Sequence, residues 1–276
     1  FLRLPSPEQE KRLAELTARI SAREAELAEE KTKPGLEKWE ARRMAVLDFA
    51  APASLREGMV AHYEMDGTVY DHSGASRHGL VLRGEPGPVQ TSVGKATLFA
   101  TPSHVRLAEF AAGEEYSIAM WLVQGHHEPQ TILQQKGRLR VWWDASEPLP
   151  HLRRGAHLHV ETPGVHLRTR DRLVQNEQYH VAIQHTAAGG VTIRINGEAV
   201  PVVRETGGGV PAGEPGRLEI GQAADTEESN GFRGRIADLW LHNRILTEQE
   251  LRHLAIHHRV AHMVATPGAQ RVKELT

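Results

Sequence analysis

Three hydrophobic periods divide the chain. In the first, Leu13, Leu16, Ile20 and Leu27 follow at spacings of three, four and seven, with Lys, Arg and Glu on the other faces. That is a narrow apolar stripe of the coiled-coil kind, and Arg23 interrupts its seam. Ser6-Pro7-Glu8-Gln9 is its start signal, with Ser6 as N-cap, Pro7 at the first helical position and Gln9 as capping-box partner. Lys33-Pro34-Gly35 is its stop. A second helical stretch from Leu36 to about Leu47 repeats the spacing through Leu36, Trp39, Arg43 and Val46, so residues 1–47 read as a helical hairpin. Residues 48–57 read as a linker.

From 58 to 245 the period is two. Tyr116-Ser117-Ile118-Ala119-Met120-Trp121-Leu122 alternates bulky and small residues, both sets largely apolar, as suits a strand in the middle of a sandwich. Tyr179 to Ile183 and Val191 to Ile195 alternate too, and Asn196-Gly197 is a two-residue hairpin signal. Breaks rich in Gly and Pro separate many short strands, which predicts a sandwich of about 12 to 14 strands. Residues 247–264 return to a helical period, with Thr247-Glu248-Gln249-Glu250 as a capping box and Leu251, Leu254 and Ala255 as its stripe. The expected fold is mainly β: an antiparallel β-sandwich over 58–245 with an N-terminal helical hairpin (1–47) and a C-terminal helix or connector (246–276).

Composition narrows the chemistry. The chain of 276 residues is 39% hydrophobic and 25% charged, with a net charge of -2, so no large positive excess draws in nucleic acid or an anionic membrane. Cysteine is absent, which excludes disulfides, thiol nucleophiles, cysteine metal sites and covalent haem attachment within the chain. No apolar run approaches the roughly 18 residues of a membrane span. The chain begins Phe1-Leu2-Arg3 without Met, and is expected to be a piece of something longer.

Two distant segments carry a resemblance. Val60-Ala61-His62-Tyr63-Glu64-Met65-Asp66-Gly67 leads into Asp71-His72-Ser73-Gly74; Phe232-x-Gly234-x-Ile236-x-Asp238 leads into Leu246-Thr247-Glu248-Gln249-Glu250-Leu251. With Val93-Gly94-Lys95-Ala96 to Phe99, Tyr116 to Trp121 and Ile195-Asn196-Gly197, they resemble a laminin G-like, concanavalin A-type jelly roll over about two-thirds of the chain. The flanking helices make it similar to the lectin-like module embedded in large exported planctomycete proteins that also carry cytochrome-like domains. The resemblance implies an exported bacterial module, periplasmic or extracellular, beside other domains. The chain has Phe99-Ala100-Thr101 where the family often has Phe-Asp-Gly, so the polar contact of that Asp is missing.

Jelly rolls of this kind often hold a structural Ca²⁺ where the first and last strands meet. Calcium wants about six to eight oxygens, and Asp66, Asp71 and Asp238 are the carboxylates these segments could bring together; the alternative is that Asp66 and Asp71 cap their own turns and Asp238 lies on an exposed strand face. For sugar binding the candidates are Trp142 and Trp143, because sugars stack on aromatic rings. On a strand they point to opposite faces, so at most one faces a groove and the other belongs to the core; the loops at 125–129 and 145–159 would be rims. The alternative makes both structural. The i, i+4 pairs His253/His257 and His258/His262, and the looser His126-His127 and His157-x-His159, suit metal ligation in spacing, but no Glu follows in a zinc-protease pattern. Glycan hydrolysis needs two facing carboxylates, and no Glu-x-Asp-x-x-Glu motif exists; Glu64, Glu161 and Glu219 stand singly. No nucleophile elbow or phosphate loop exists either. The expected function is a non-catalytic, lectin-like module binding a polysaccharide or a protein partner, with neither nucleic acid nor membrane as partner. The alternative is a structural spacer that positions neighbouring domains.

Overall fold

Alternation between 58 and 245 resolves into strands whose apolar sets face each other across one core. The computed structural model describes residues 7–30, 52–91, 94–107, 110, 114–207, 209–211, 216–221 and 231–265. The chain divides into two units, Phe1–Ala51 and Pro52–Thr276. In the first, helix α1 spans Pro7–Glu30. The expected second helix at 36–47 lies outside the described residues.

The second unit opens with a single 3₁₀ turn, Ala53–Arg56. Its Leu55 is buried to 1%, so these residues are part of the sandwich rather than the linker their sequence suggested. The first strands are β1 (Met59–Tyr63), β2 (Leu80–Arg83), β3 (Gly87–Thr91), β4 (Gly94–Arg106), β5 (Tyr116–Gln124), β6 (Gln130–Gln135) and β7 (Leu139–Trp143). Then follow β8 (Glu147–Pro148), β9 (Arg154–Ala156), β10 (Leu158–Thr162), β11 (Val165–Thr169), β12 (Leu173–Val174), β13 (Gln178–His185) and β14 (Val191–Ile195). The last are β15 (Glu198–Ala199), β16 (Val202–Arg204), β17 (Leu218–Ile220) and β18 (Phe232–His242), before helix α2 (Glu248–Ala265). Among the described residues eighteen strands exceed the expected 12 to 14, because several hold only two or three residues.

All pairings between strands are antiparallel. Sheet A runs β15-β14-β13-β5-β18, with β1 and the first half of β4 sharing the far side of β18, and β3 outside β4. Sheet B runs β2, the second half of β4, β17, β6, β7, β10, β11, β16. Strand β4 belongs to both, so hydrogen bonding is continuous from one sheet to the other. The core between them takes Ile118, Met120, Leu122, Val181, Ile183, Ile236, Leu239 and Leu241 from sheet A, and Val105, Leu133, Val141, Trp143, Leu158 and Val160 from sheet B. Strand β5 is buried along its whole length, as its double apolar alternation requires.

Local signals place the ends. Asn196 and Gly197 both have positive φ (54° and 87°), the backbone of a tight primed hairpin between β14 and β15. Thr247 Oγ1 accepts the Glu250 N–H at 3.2 Å while Glu250 Oε2 accepts the Thr247 N–H at 2.8 Å, so the expected capping box forms. Arg244 donates both terminal nitrogens to the Glu250 carboxylate and also reaches the carbonyls of Ser54 and Glu57. This one guanidinium ties the start of the sandwich to the helix at its end.

Candidate ligand-binding face

The two resembling segments meet as β1 and β18, with His62 opposite Trp240. Strict alternation from Phe232, Gly234 and Ile236 would send Asp238 into the core. A bulge intervenes: the register with β5 shifts between Ala237 and Trp240, and Asp238 adopts φ 52°. Leu239 and Leu241 then take the inward positions. Asp238 accepts from His62 Nε2 at 2.8 Å, and the His62 ring stacks on Trp240 at 3.7 Å. Asp71 accepts four hydrogen bonds, from the N–H groups of His62, Ser73 and Arg77 and the Ser73 hydroxyl. Burial pushes the Asp71 carboxyl up, but those four bonds outweigh it and hold it below the usual carboxylate range. Asp71 and Asp238 thus meet at His62, one at its backbone and one at its ring, while Asp66 caps Thr68. Among the described residues no group of three or more His, Asp or Glu side chains is placed to hold a metal ion.

The outer face of sheet A is roofed. Ala119 and Ala182 sit side by side in register, and their small side chains admit Leu251 and Leu254 of α2, with Leu55 and Leu246 beside them. Trp121 and His180, paired in the next row, are exposed by only 2% and 1%. Burial lowers the His180 pKa to about 4 against the opposing pull of Asp238. Around Ala119 and Ala182 this face is an internal interface between sheet and helix, while Trp121 packs with Ala96, Ala237 and Val89.

The outer face of sheet B is built differently. Thr131, Trp142, His159 and Arg168 form one row across β6, β7, β10 and β11; Gln134, Arg140, Glu161 and His166 form the next. The half-buried Trp142 ring stacks on His159 at 4.0 Å and 21°, and the Arg140 guanidinium lies 5.1 Å from its centre. Trp142 Nε1–H donates to Glu161 Oε1 at 2.9 Å, which fixes the indole edge. His159 Nδ1 and His166 Nε2 are 3.0 Å apart, so one must donate and the other accept. Donation from His166 leaves the His159 Nε2–H facing Asp144 at 3.5 Å, a long electrostatic contact, and keeps the His166 N–H 3.7 Å from Glu161. Arg168 binds Glu205 and also approaches His157 at 3.4 Å.

The charges on this face neutralise one another locally. Burial pushes the Asp144 carboxyl up, but His159 and His157 outweigh it and hold it below the usual range. Glu205 is lowered by its bond to Arg168. Burial lowers His157, against the pull of Asp144. The result is an aromatic ring framed by ordered donors and acceptors of both signs.

The sequence placed Trp142 and Trp143 on opposite faces, and the structure does the same: Trp143 is 1% exposed in the core, and only Trp142 is on the accessible side. Sequence reasoning missed the grouping of His159, Glu161, His166 and Arg168 around Trp142. The stretch 145–159, read as a rim loop, contains β8, β9 and the start of β10. The outward set His157-x-His159-x-Glu161 carried the signal, but only the register of β10 against β7 shows that it lies beside Trp142. The side chains of His257, His258 and His262 lie outside the described residues.

Comparison with known proteins agrees with this architecture. A sequence profile described as the concanavalin A-like lectin/glucanases superfamily matches residues 96–252, more than half of the chain. No curated protein sequence matches. Among solved structures, domain 4 of AbnA, a GH43 extracellular arabinanase from Geobacillus stearothermophilus solved with arabinotriose, has a TM-score of 0.54 and 18% identity, covering 71% of this chain and 98% of that one. Botulinum neurotoxin type C, whose cell entry depends on two ganglioside molecules, has a TM-score of 0.52 and 12% identity over 75% of this chain and 52% of that one. The binding domain of botulinum neurotoxin DC in complex with SialylT has a TM-score of 0.51 and 12% identity over 74% and 52%. The chain therefore spans about half the length of the toxin chains, and at these identities the likeness is one of fold.

Proposed function

This chain belongs to the concanavalin A-like lectin/glucanases superfamily, and from that premise we propose that it is a non-catalytic module that binds a polysaccharide on the outer face of sheet B beside Trp142. One observation carries the reading: of the two outer sheet faces, that of sheet A is roofed by α2, while that of sheet B presents a half-buried indole whose neighbours are already hydrogen-bonded into place. Sugars stack their C–H patches on aromatic rings and trade hydroxyl hydrogen bonds with planar polar groups. Trp142 supplies the ring; Glu161, His159 and Arg168 supply the planar groups. Holding these in advance lowers the ordering cost of binding. The sugars bound to the arabinanase domain and to the DC toxin domain support a glycan as ligand.

Catalysis is not part of the proposal. A glycosidase needs one carboxyl with a raised pKa facing a second, whereas Asp144 and Glu205 are both lowered and each has a basic neighbour. No helix of the described residues is long and apolar enough to cross a membrane. A place outside the cytoplasm, within a larger protein, fits the ligand class.

A second reading has one observation of its own. Edge strand β2 exposes all four of its residues, with Leu80 at 57%, Val81 at 39% and Leu82 at 40%. An apolar edge of this kind suits a protein contact, so the module could position a partner without binding glycan. Affinity electrophoresis through a panel of plant and sialylated polysaccharides separates the two. Retardation by at least one glycan, abolished by Trp142→Ala with the melting transition preserved, supports the proposal. No retardation by any glycan favours the protein contact, and retardation unchanged in Trp142→Ala would move the glycan site away from the Trp142 face.

A further inference from the structure

Helix α1 is an element whose sequence anticipates a partner. It runs for 24 residues, and its described side chains at Glu8 and from Glu10 to Ala25 are all exposed. Leu13, Leu16 and Ile20 stand 65%, 42% and 57% exposed. A helix draws most of its stability in a protein from burying an apolar stripe, so this stripe calls for a cover.

We propose that α1 pairs with α1 of a second copy of this chain, in a parallel two-stranded coiled coil. The spacing fits a heptad: Leu13, Ile20 and Leu27 at a, Leu16 and Arg23 at d. Ile20 at a beside Leu16 at d is the combination that favours two strands. The flanking charges favour the parallel sense. Arg19 at g then meets Glu24 at e of the second copy, and Arg12 meets the neutral Thr17. An antiparallel pair centred on the same layers sets Arg19 against Arg19 once and Glu10 against Glu24 twice, three like-charge contacts against two Arg12–Glu26 attractions. In this pair the two Arg23 side chains share one d layer, a like-charge contact that weakens the seam. Such a dimer presents two copies of the Trp142 face, which raises avidity for a repetitive polymer without any new contact.

Sedimentation equilibrium of the full chain tests this without any ligand, so its outcome is independent of the glycan reading. The expected mass rises with concentration toward twice that of one chain. Leu16→Asp holds it at one chain while the melting transition of the sandwich stays put. Arg23→Leu tightens association on the order of tenfold, since it removes a charge from the seam. Arg19→Glu loosens the dimer, and adding Glu24→Arg restores it. A single-chain mass for both the wild type and Arg23→Leu at every concentration overturns the proposal. So does a dimer indifferent to Leu16→Asp, which would join through another surface; failure of the double charge reversal to restore association overturns the parallel arrangement.

Discussion

The outer faces of the two sheets start from the same backbone rule and end in opposite uses. On each, every second side chain points away from the core. On sheet A that set is small at the centre, Ala119 beside Ala182, and a helix lies down on it with Leu251 and Leu254. On sheet B the set beside Trp142 is large and polar, and its side chains bond to one another. Residue volume accounts for the difference. The apolar stripe of α2 packs on the short apolar pair, while charged side chains bond among themselves. The covered face contributes stability, and the sheet B face, where Trp142 stays half-exposed among its polar neighbours, offers chemistry.

This contrast can be broken by mutation, starting with the two adjacent tryptophans. Trp143→Ala empties a site in the core and should cost about 3–5 kcal/mol, whereas Trp142→Ala should cost below about 1 kcal/mol of stability yet weaken glycan binding on the order of tenfold or more. Urea unfolding read beside affinity electrophoresis checks both; equal stability losses would erase the distinction between the faces. On the covered face, Leu254→Ala should remove about 3–4 kcal/mol, again read by urea unfolding, and leave the sheet B face unaltered in binding.

Acid sharpens the contrast further. His180 binds a proton less readily folded (about 4) than unfolded (6.5). Acid therefore favours the unfolded chain. Stability from this group is complete above pH 6.5 and falls between pH 6.5 and 4, by up to about 3 kcal/mol. His157 and His242 are lowered as well and act with the same sign. Melting temperatures measured across that window should drop in the wild type and drop less in His180→Gln. The smallest expected effect is from metal. With Asp71 filled by four donors and Asp238 bonded to His62, calcium or a chelator should move the melting midpoint by less than about 1 °C. A larger rise with calcium would place an ion at the junction of β1 and β18.

Much of the architecture was legible locally. Thr247 and Glu250 announce their helix start, because a capping box closes within four residues. Asn196-Gly197 announces its hairpin, because few residues accept positive φ in succession. The alternation of β5 gave its central place, and the pairing of β1 with β18 followed the resemblance of their segments. The candidate face was only half legible. Trp142 stood out as an aromatic on a strand; its company of His159, Glu161, His166 and Arg168 did not, because these lie on β10 and β11, and nothing local states which strands are neighbours. The bulge at Asp238 was hidden for a related reason: plain alternation aims that carboxylate into the apolar core, and the extra residue that turns it to His62 instead forms only when β18 is held between β5 and β1.

What the sequence by itself determined, then, is the class of the strongly patterned segments: the strand of β5, the hairpin at Asn196-Gly197, the start of α2, and which side chains alternate together. Only the tertiary structure decided which of the two outer faces is roofed and which is open, and which polar residues gather at Trp142. The reason is one of range. Capping, turn chemistry and alternation are settled by atoms within a few residues, while cross-strand register and helix docking are set by the packing of the whole core.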